Sequence, residues 1–248
     1  MPNEGWIIMD NCTKRDHEGK TVVISGGAKG ISLTLKAVVI LSAVIGTVLS
    51  YLGGRNTFMG GSVVFMYFTI QSNIAIAVIC AIDAGFLLKD KEISRAWHVI
   101  KFVGTVSITL TGVVFGFVLA PTLGTLAWNI QNILTHVVVP VAAVIDFFIT
   151  CSTARIKKSN VFLVTIPPIL YAIYAGIGFV EGWEFAAGFN YPYFFLNWGS
   201  KAGAFGFSDE LPFMGCARWI LVLLIFLMAV GYGYLIIADV ISRKLEKK

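Results

Sequence analysis

A chain of 248 residues that is 57% hydrophobic and 13% charged is not an ordinary soluble domain, in which about a quarter of the residues are charged. Its mean hydropathy of +0.81, gathered into long apolar runs, predicts an all-α membrane protein. The net charge of +5 does not mark a nucleic-acid binder, because the basic residues collect in connections between the apolar runs.

A transmembrane helix needs roughly 20 mostly apolar residues. Six runs meet that length, at about 32–53, 61–88, 98–120, 127–150, 161–181 and 213–240. Ahead of them, residues 1–30 read as a cytoplasmic N-terminal tail. An apolar run that starts so late is not a cleavable signal peptide and predicts a permanent first span. The tail contains "VVISGGAKGIS", which looks like a glycine-rich nucleotide-binding turn. That motif needs further strand–helix units behind it, and a membrane span follows instead.

Span 1 carries Lys36 near its cytoplasmic end, where its ammonium is expected to snorkel to the headgroups. Span 2 opens with "YFTIQSN". Thr69, Ser72 and Asn73 fall at i, i+3 and i+4 and share one face, while Gln71 points elsewhere. Lys101, at the start of span 3, is also expected to snorkel. On span 4, "WNIQNILTHVVVP" places Asn129, Asn132 and His136 on one face, with Pro140 following on the same side. Asp146 lies nearer the cytoplasm, for a structural or lipid-facing role. Span 5 is followed by a long aromatic, glycine-rich loop, 182–212, which reads as an interfacial belt or as a lid built around Tyr191, Pro192, Tyr193 and Asn197. Span 6 leads into a basic C-terminal tail, 243–248.

Lysines and arginines concentrate in the N-terminal tail, after spans 2 and 4, and at the C-terminus; the opposite side holds Arg55, Lys201 and Arg218. This positive-inside pattern predicts a six-helix bundle over 31–242 with both termini cytoplasmic. Its basic side faces anionic lipid, and no nucleic acid is expected. The four cysteines (Cys12, Cys80, Cys151, Cys216) have no CxxC spacing and read as free thiols.

Polar residues inside a membrane are expensive and face the bundle interior. Spans 2 and 4 run in the same direction. Counted from Gly61 and Ala127, Thr69 and His136 both lie roughly 12–14 Å below the outer boundary at 1.5 Å per residue. A hydroxyl and an imidazole at one level can form a nucleophile–base pair. Thr, Ser and Asn also serve as plain helix–helix glue, so on residue physics alone a packing role stays open. A three-histidine zinc site is not supported, since His136 is the one histidine deep in a span, and no metal is expected. Asp83, Asp146 and Asp239 lie towards the cytoplasmic ends, far from Thr69.

The motifs "YFTIQSN", "LTHVVVPVAAVIDF" and "YPYFFLN" resemble those of bacterial predicted six-transmembrane proteins. These are similar to the animal androgen-induced-gene and androgen-dependent tissue-factor-regulating proteins, which are intramembrane threonine hydrolases of fatty acid esters of hydroxy fatty acids. The resemblance covers most of the chain after residue 30; the N-terminal tail has no counterpart. It implies Thr69 as nucleophile and His136 as general base and acid, acting on a lipid ester without a cofactor. With it come Asn73, Asn132, Ser72 and Asn129 as oxyanion or orienting groups, and Phe65 and Phe68 as acyl-pocket walls. Membrane lipids are the other expected partners, and a bacterial inner membrane is the expected location. The helix 2 motif reads closer to the bacterial branch, so the animal substrate does not simply transfer. The alternative is a non-enzymatic small-molecule transporter or lipid-binding membrane protein, although no inverted repeat of the transporter kind is visible.

Overall fold

The structure, a computed structural model, describes residues 26–54, 61–91, 93–150 and 156–246. Six of its helices are long and apolar enough to cross a membrane. They are α1 (Gly26–Gly54), α2 (Phe68–Leu88), α3 (Arg95–Trp128), α4 (Ile130–Ile149), α5 (Lys158–Val180) and α6 (Cys216–Glu246). No strand occurs among the described residues, only the isolated bridges Ala186–Phe189 and Phe207–Met214.

Local chemistry sets several helix starts. Ser94 accepts the Trp97 N–H at 3.2 Å and caps α3. Asn129 accepts the Asn132 N–H at 2.9 Å and caps α4. Such caps satisfy donors that have no partner within the helix. Helix α1 runs from Gly26, the first described residue, so "GGAKGIS" is helical and forms no phosphate-binding turn; residues 1–25 lie outside the described residues. Residues 243–246 continue α6 rather than forming a tail. Cys80 and Cys216 are free and buried, while Cys12 and Cys151 lie outside the described residues.

Helices α1 to α4 form a closed ring in which each touches its two neighbours. Its core is built from Val39, Ala43, Ile76, Cys80, Ile108 and Val139. Helix α6 packs on α3 and on the first turns of α5, through Phe102, Val106, Val161, Val164, Leu227 and Leu235. Farther along, α5 and α6 diverge and touch little.

One end of the ring is locked by charge. Lys36 and Lys101 do not snorkel: both are buried, Lys36 completely. The Lys36 ammonium lies 2.7 Å from Asp146 and 3.0 Å from Asp83; that of Lys101 lies 2.6 Å from Asp83 and 2.9 Å from Asp146. Ser32 donates to Asp146 at 2.5 Å and the Trp97 indole to Asp83 at 3.2 Å. Snorkelling fails because the chain is already helical at Gly26, ten residues before Lys36, which places Lys36 at least roughly 15 Å along the helix. Two carboxylates meet the lysines at that level. Asp146 accordingly faces inward, not toward lipid. Asp239 sits apart, 3.9 Å from Lys158 at the surface.

Candidate functional site

Thr69 and His136 face each other across the other half of the ring, Thr69 Oγ1 lying 3.3 Å from His136 Nε2. The route to this contact differs from the depth count. Residues Gly61–Met66 form a separate 3-10 helix, and α2 starts only at Phe68. Thr69 is therefore the second residue of its helix, while His136 is the seventh of α4. The two helices are staggered, and the stagger brings the side chains together.

Local backbone chemistry aims the imidazole. Residues Leu134–Val138 form a π turn, in which the Val139 N–H reaches back to the Leu134 carbonyl. Pro140 has no N–H to offer. The Thr135 carbonyl thus loses both of its possible partners within the helix. Asn73 fills the gap, donating from its side-chain amide to Thr135 O at 3.1 Å and to Thr69 O at 2.8 Å. Gly112 of α3 lets the helices close here: a Cβ at that position would stand 2.9 Å from the His136 carbonyl oxygen. Gly46 of α1 does the same, where a Cβ would meet Thr135 Cγ2 at 2.6 Å. Phe115, which opens a second π turn in α3, stacks on the His136 ring at 3.9 Å between centroids and 21° between planes. Single π turns recur at functional sites.

The hydrogen-bond network assigns the tautomer. Thr135 donates its hydroxyl hydrogen to Gln131 O at 2.8 Å, so its oxygen can only accept from His136 Nδ1, 3.1 Å away. The Asn132 carbonyl, also 3.1 Å from Nδ1, accepts as well. Two acceptors at Nδ1 place the proton there and leave the Nε2 lone pair facing the Thr69 hydroxyl.

The remaining predicted site residues divide. Ser72 is engaged, with its hydroxyl 3.0 Å from Thr69 O and 2.7 Å from Thr111 Oγ1. The Asn132 amide donates to Ala127 O at 2.9 Å; Asn132 bears on His136 through its backbone carbonyl instead. Asn129 is an exposed helix cap whose amide donates to Leu126 O at 3.3 Å. The asparagine side chains thus hold backbone carbonyls, that of Thr69 among them, and do not point donors at the Thr69 hydroxyl. Phe68 lines the cavity beside Thr69, but Phe65 does not. The tighter 3-10 turn carries Phe65 outward, where it is exposed and lies against Tyr51, centroids 6.2 Å apart. Gln71 is exposed and donates to Phe65 O at 3.1 Å.

The connection between α5 and α6 folds down onto the bundle. Phe185, Phe195 and Leu196 are buried in it. The Tyr67 hydroxyl donates to Phe185 O at 2.8 Å and the Tyr171 hydroxyl to Met66 O at 3.1 Å. Tyr191 packs on Phe189, Pro192 is buried, and Asn197 accepts the Gly199 N–H at 3.0 Å. Tyr193 reaches deepest: its hydroxyl lies 3.4 Å from Thr69 Oγ1 and 3.4 Å from Thr69 N. Sequence reasoning placed Tyr193 in the loop but had no signal for that contact, because the depth to which a loop folds is a tertiary property.

Thr69 and Tyr193 open onto an apolar cavity walled by Leu110 and Val114 of α3, Pro168 and Ala172 of α5, and Leu223 and Leu224 of α6. It occupies the wedge where α5 and α6 diverge. Among the described residues, no group of three or more His, Cys, Asp or Glu side chains is arranged to hold a metal ion. Comparison with protein-family models, curated proteins and solved structures finds no match to this chain.

Proposed function

We propose that the protein is an intramembrane ester hydrolase in which Thr69 is the nucleophile and His136 the general base and acid. The observation that carries this reading is the directed chain from the Thr69 hydroxyl to His136 Nε2, with Nδ1 fixed on the Asn132 carbonyl. This chain ends on a hydroxyl at the wall of an apolar cavity. A free threonine hydroxyl is a weak nucleophile at neutral pH, and an adjacent base is what activates it. The resemblance of the surrounding motifs to threonine hydrolases of fatty acid esters agrees with a lipid ester as substrate.

In the forward step His136 Nε2 takes the Thr69 proton while Oγ1 bonds to the ester carbonyl carbon. The tetrahedral intermediate collapses, the carbon–alkoxy bond breaks, and the leaving alcohol takes the proton from Nε2. Water then repeats the sequence on the acyl-threonine, releasing the acid. The basic connections support a topology with both termini in the cytoplasm. That orientation puts the site in the outer half of the membrane and the lysine–aspartate cluster in the inner half. A bacterial inner membrane fits the same reading.

The test is covalent labelling of the purified full chain with a long-chain fluorophosphonate. A phosphonyl adduct on Thr69, absent from Thr69→Ala and strongly slowed in His136→Ala, is expected. Label elsewhere, or none, returns the protein to the reading of a non-enzymatic transporter or lipid binder.

A further inference from the structure

We infer that Tyr193 is a catalytic residue of this site: its hydroxyl and the backbone N–H of Thr69 together form the oxyanion hole. The inference rests on the hydrolase reading of Thr69 and His136. It begins from what the other polar groups are doing. Both asparagine amides that sequence reasoning favoured are bound to backbone carbonyls, Asn73 to Thr69 O and Thr135 O, Asn132 to Ala127 O. The Ser72 hydroxyl is held between Thr69 O and Thr111. Releasing the Asn73 amide would leave the buried Thr135 carbonyl unpaired.

Two donors stay close to the place where charge develops. Thr69 is the second residue of α2, so its N–H has no carbonyl to meet within the helix. It points instead at the Tyr193 hydroxyl oxygen, 3.4 Å away. That hydroxyl is also 3.4 Å from Oγ1. The Thr69 hydrogen is directed to His136, so the Tyr193 hydrogen is the one that faces Oγ1. When Oγ1 bonds to an acyl carbon, the carbonyl oxygen on that carbon falls between the two donors. Each contact then shortens from its resting length toward the roughly 2.7–3.1 Å of an oxyanion donor.

The ring is held for this task by Tyr67 edge-on at 5.6 Å and by Phe195 stacked at 5.1 Å and 6°. Desolvation keeps the Tyr193 phenol above its ordinary pKa, so it carries its proton at neutral pH. The electron count is simple. The Oγ1 pair forms the new carbon–oxygen bond, the carbonyl π pair moves to oxygen and accepts both hydrogens as hydrogen bonds, and the pair returns when the alkoxy group leaves. Tyr193 keeps its proton throughout.

Tyr193→Phe removes the donor and preserves the ring packing. With a long-chain p-nitrophenyl ester and the full chain in detergent, kcat is expected to fall about 10²–10³-fold with KM nearly unchanged. Phosphonylation of Thr69 should slow in parallel, with the midpoint of unfolding within ~2 °C. A residue that only packs would not respond to the acidity of its hydroxyl. Incorporation of 3,5-difluorotyrosine at 193 is therefore expected to move the alkaline limb of kcat to lower pH. Retention of kcat in Tyr193→Phe, or an alkaline limb unmoved by the fluorinated residue, overturns the inference while leaving the Thr69–His136 reading intact. A wild-type chain that neither labels at Thr69 nor turns over ester overturns both.

Discussion

The ring of α1 to α4 buries two polar constellations, and they differ in what is left over. At one end, Lys36, Asp83, Lys101 and Asp146 sum to zero charge and every ammonium touches two carboxylates. At the other, Thr69 and His136 are neutral, sit partly exposed, and adjoin a cavity. Burying four charges is tolerable only when each is matched, and a matched set has nothing to offer a ligand. A hydroxyl that faces an imidazole lone pair on one side and empty apolar space on the other does. Cost of burial therefore does not separate the two constellations; access to the apolar cavity does.

Substitutions can break this contrast. Thr69→Ala should give the largest effect, a loss of turnover of about 10⁴-fold, equivalent to about 5 kcal/mol of barrier. Thermal unfolding in detergent should stay near wild type, since Thr69 bears on chemistry rather than packing. Asp146→Ala should do the reverse. It leaves two buried ammoniums, those of Lys36 and Lys101, each without one of its partners and is expected to cost about 3–5 kcal/mol of stability. The double variant Lys36→Met, Asp146→Leu restores neutrality and should recover most of that loss in the same unfolding measurement. A double variant no better than Asp146→Ala would show that the cluster acts through specific geometry, not charge balance.

Smaller effects sharpen the comparison at the Thr69 end. Gly112→Ala pushes a methyl against the His136 carbonyl and should cost about 1–3 kcal/mol of stability. Unlike Asp146→Ala, it should also lower kcat, because the displaced backbone carries the imidazole. Asn73→Leu strips the Thr135 carbonyl of its donor, while Thr69 O keeps Ser72, and should cost about 1–3 kcal/mol. Thr69→Ser keeps the hydroxyl and should retain turnover to within about tenfold of wild type; a collapse to the alanine level would make the β-methyl essential for holding Oγ1 on Nε2.

Much of this architecture is written in local pattern. Six apolar runs give six helices, and the i, i+3, i+4 spacing puts Ser72 and Asn73 inside the ring with Thr69 while Gln71 faces out. Pairings between distant segments are less legible. Lys36 and Lys101 read as snorkelling ends because nothing local announces that Asp83 and Asp146 arrive at their level. Asn73 reads as a free donor because the missing hydrogen of Pro140 and the π turn it accompanies decide that the Thr135 carbonyl needs an amide; Asn132 reads as one because nothing local announces its bond to Ala127 O. Phe65 reads as a pocket wall because the apolar run 61–88 reads as one α-helix, and a 3-10 turn over Gly61–Met66 rotates it outward.

That π turn has a consequence for how the bundle could lose or gain this arrangement. A π turn holds one residue more than the α turn it replaces, and each residue of an α-helix advances the direction of its side chain by roughly 100°. Deleting a single residue between Leu134 and Val138 would leave α4 long enough to span, still capped by Asn129. The bond from Val139 N–H to Leu134 O would become an ordinary α-helical one, so the segments on either side would keep their phase, while the side chains inside the turn are redistributed and the imidazole loses its aim at Oγ1. Between a bundle that presents a base to a hydroxyl and one that hides it, the difference is a single codon.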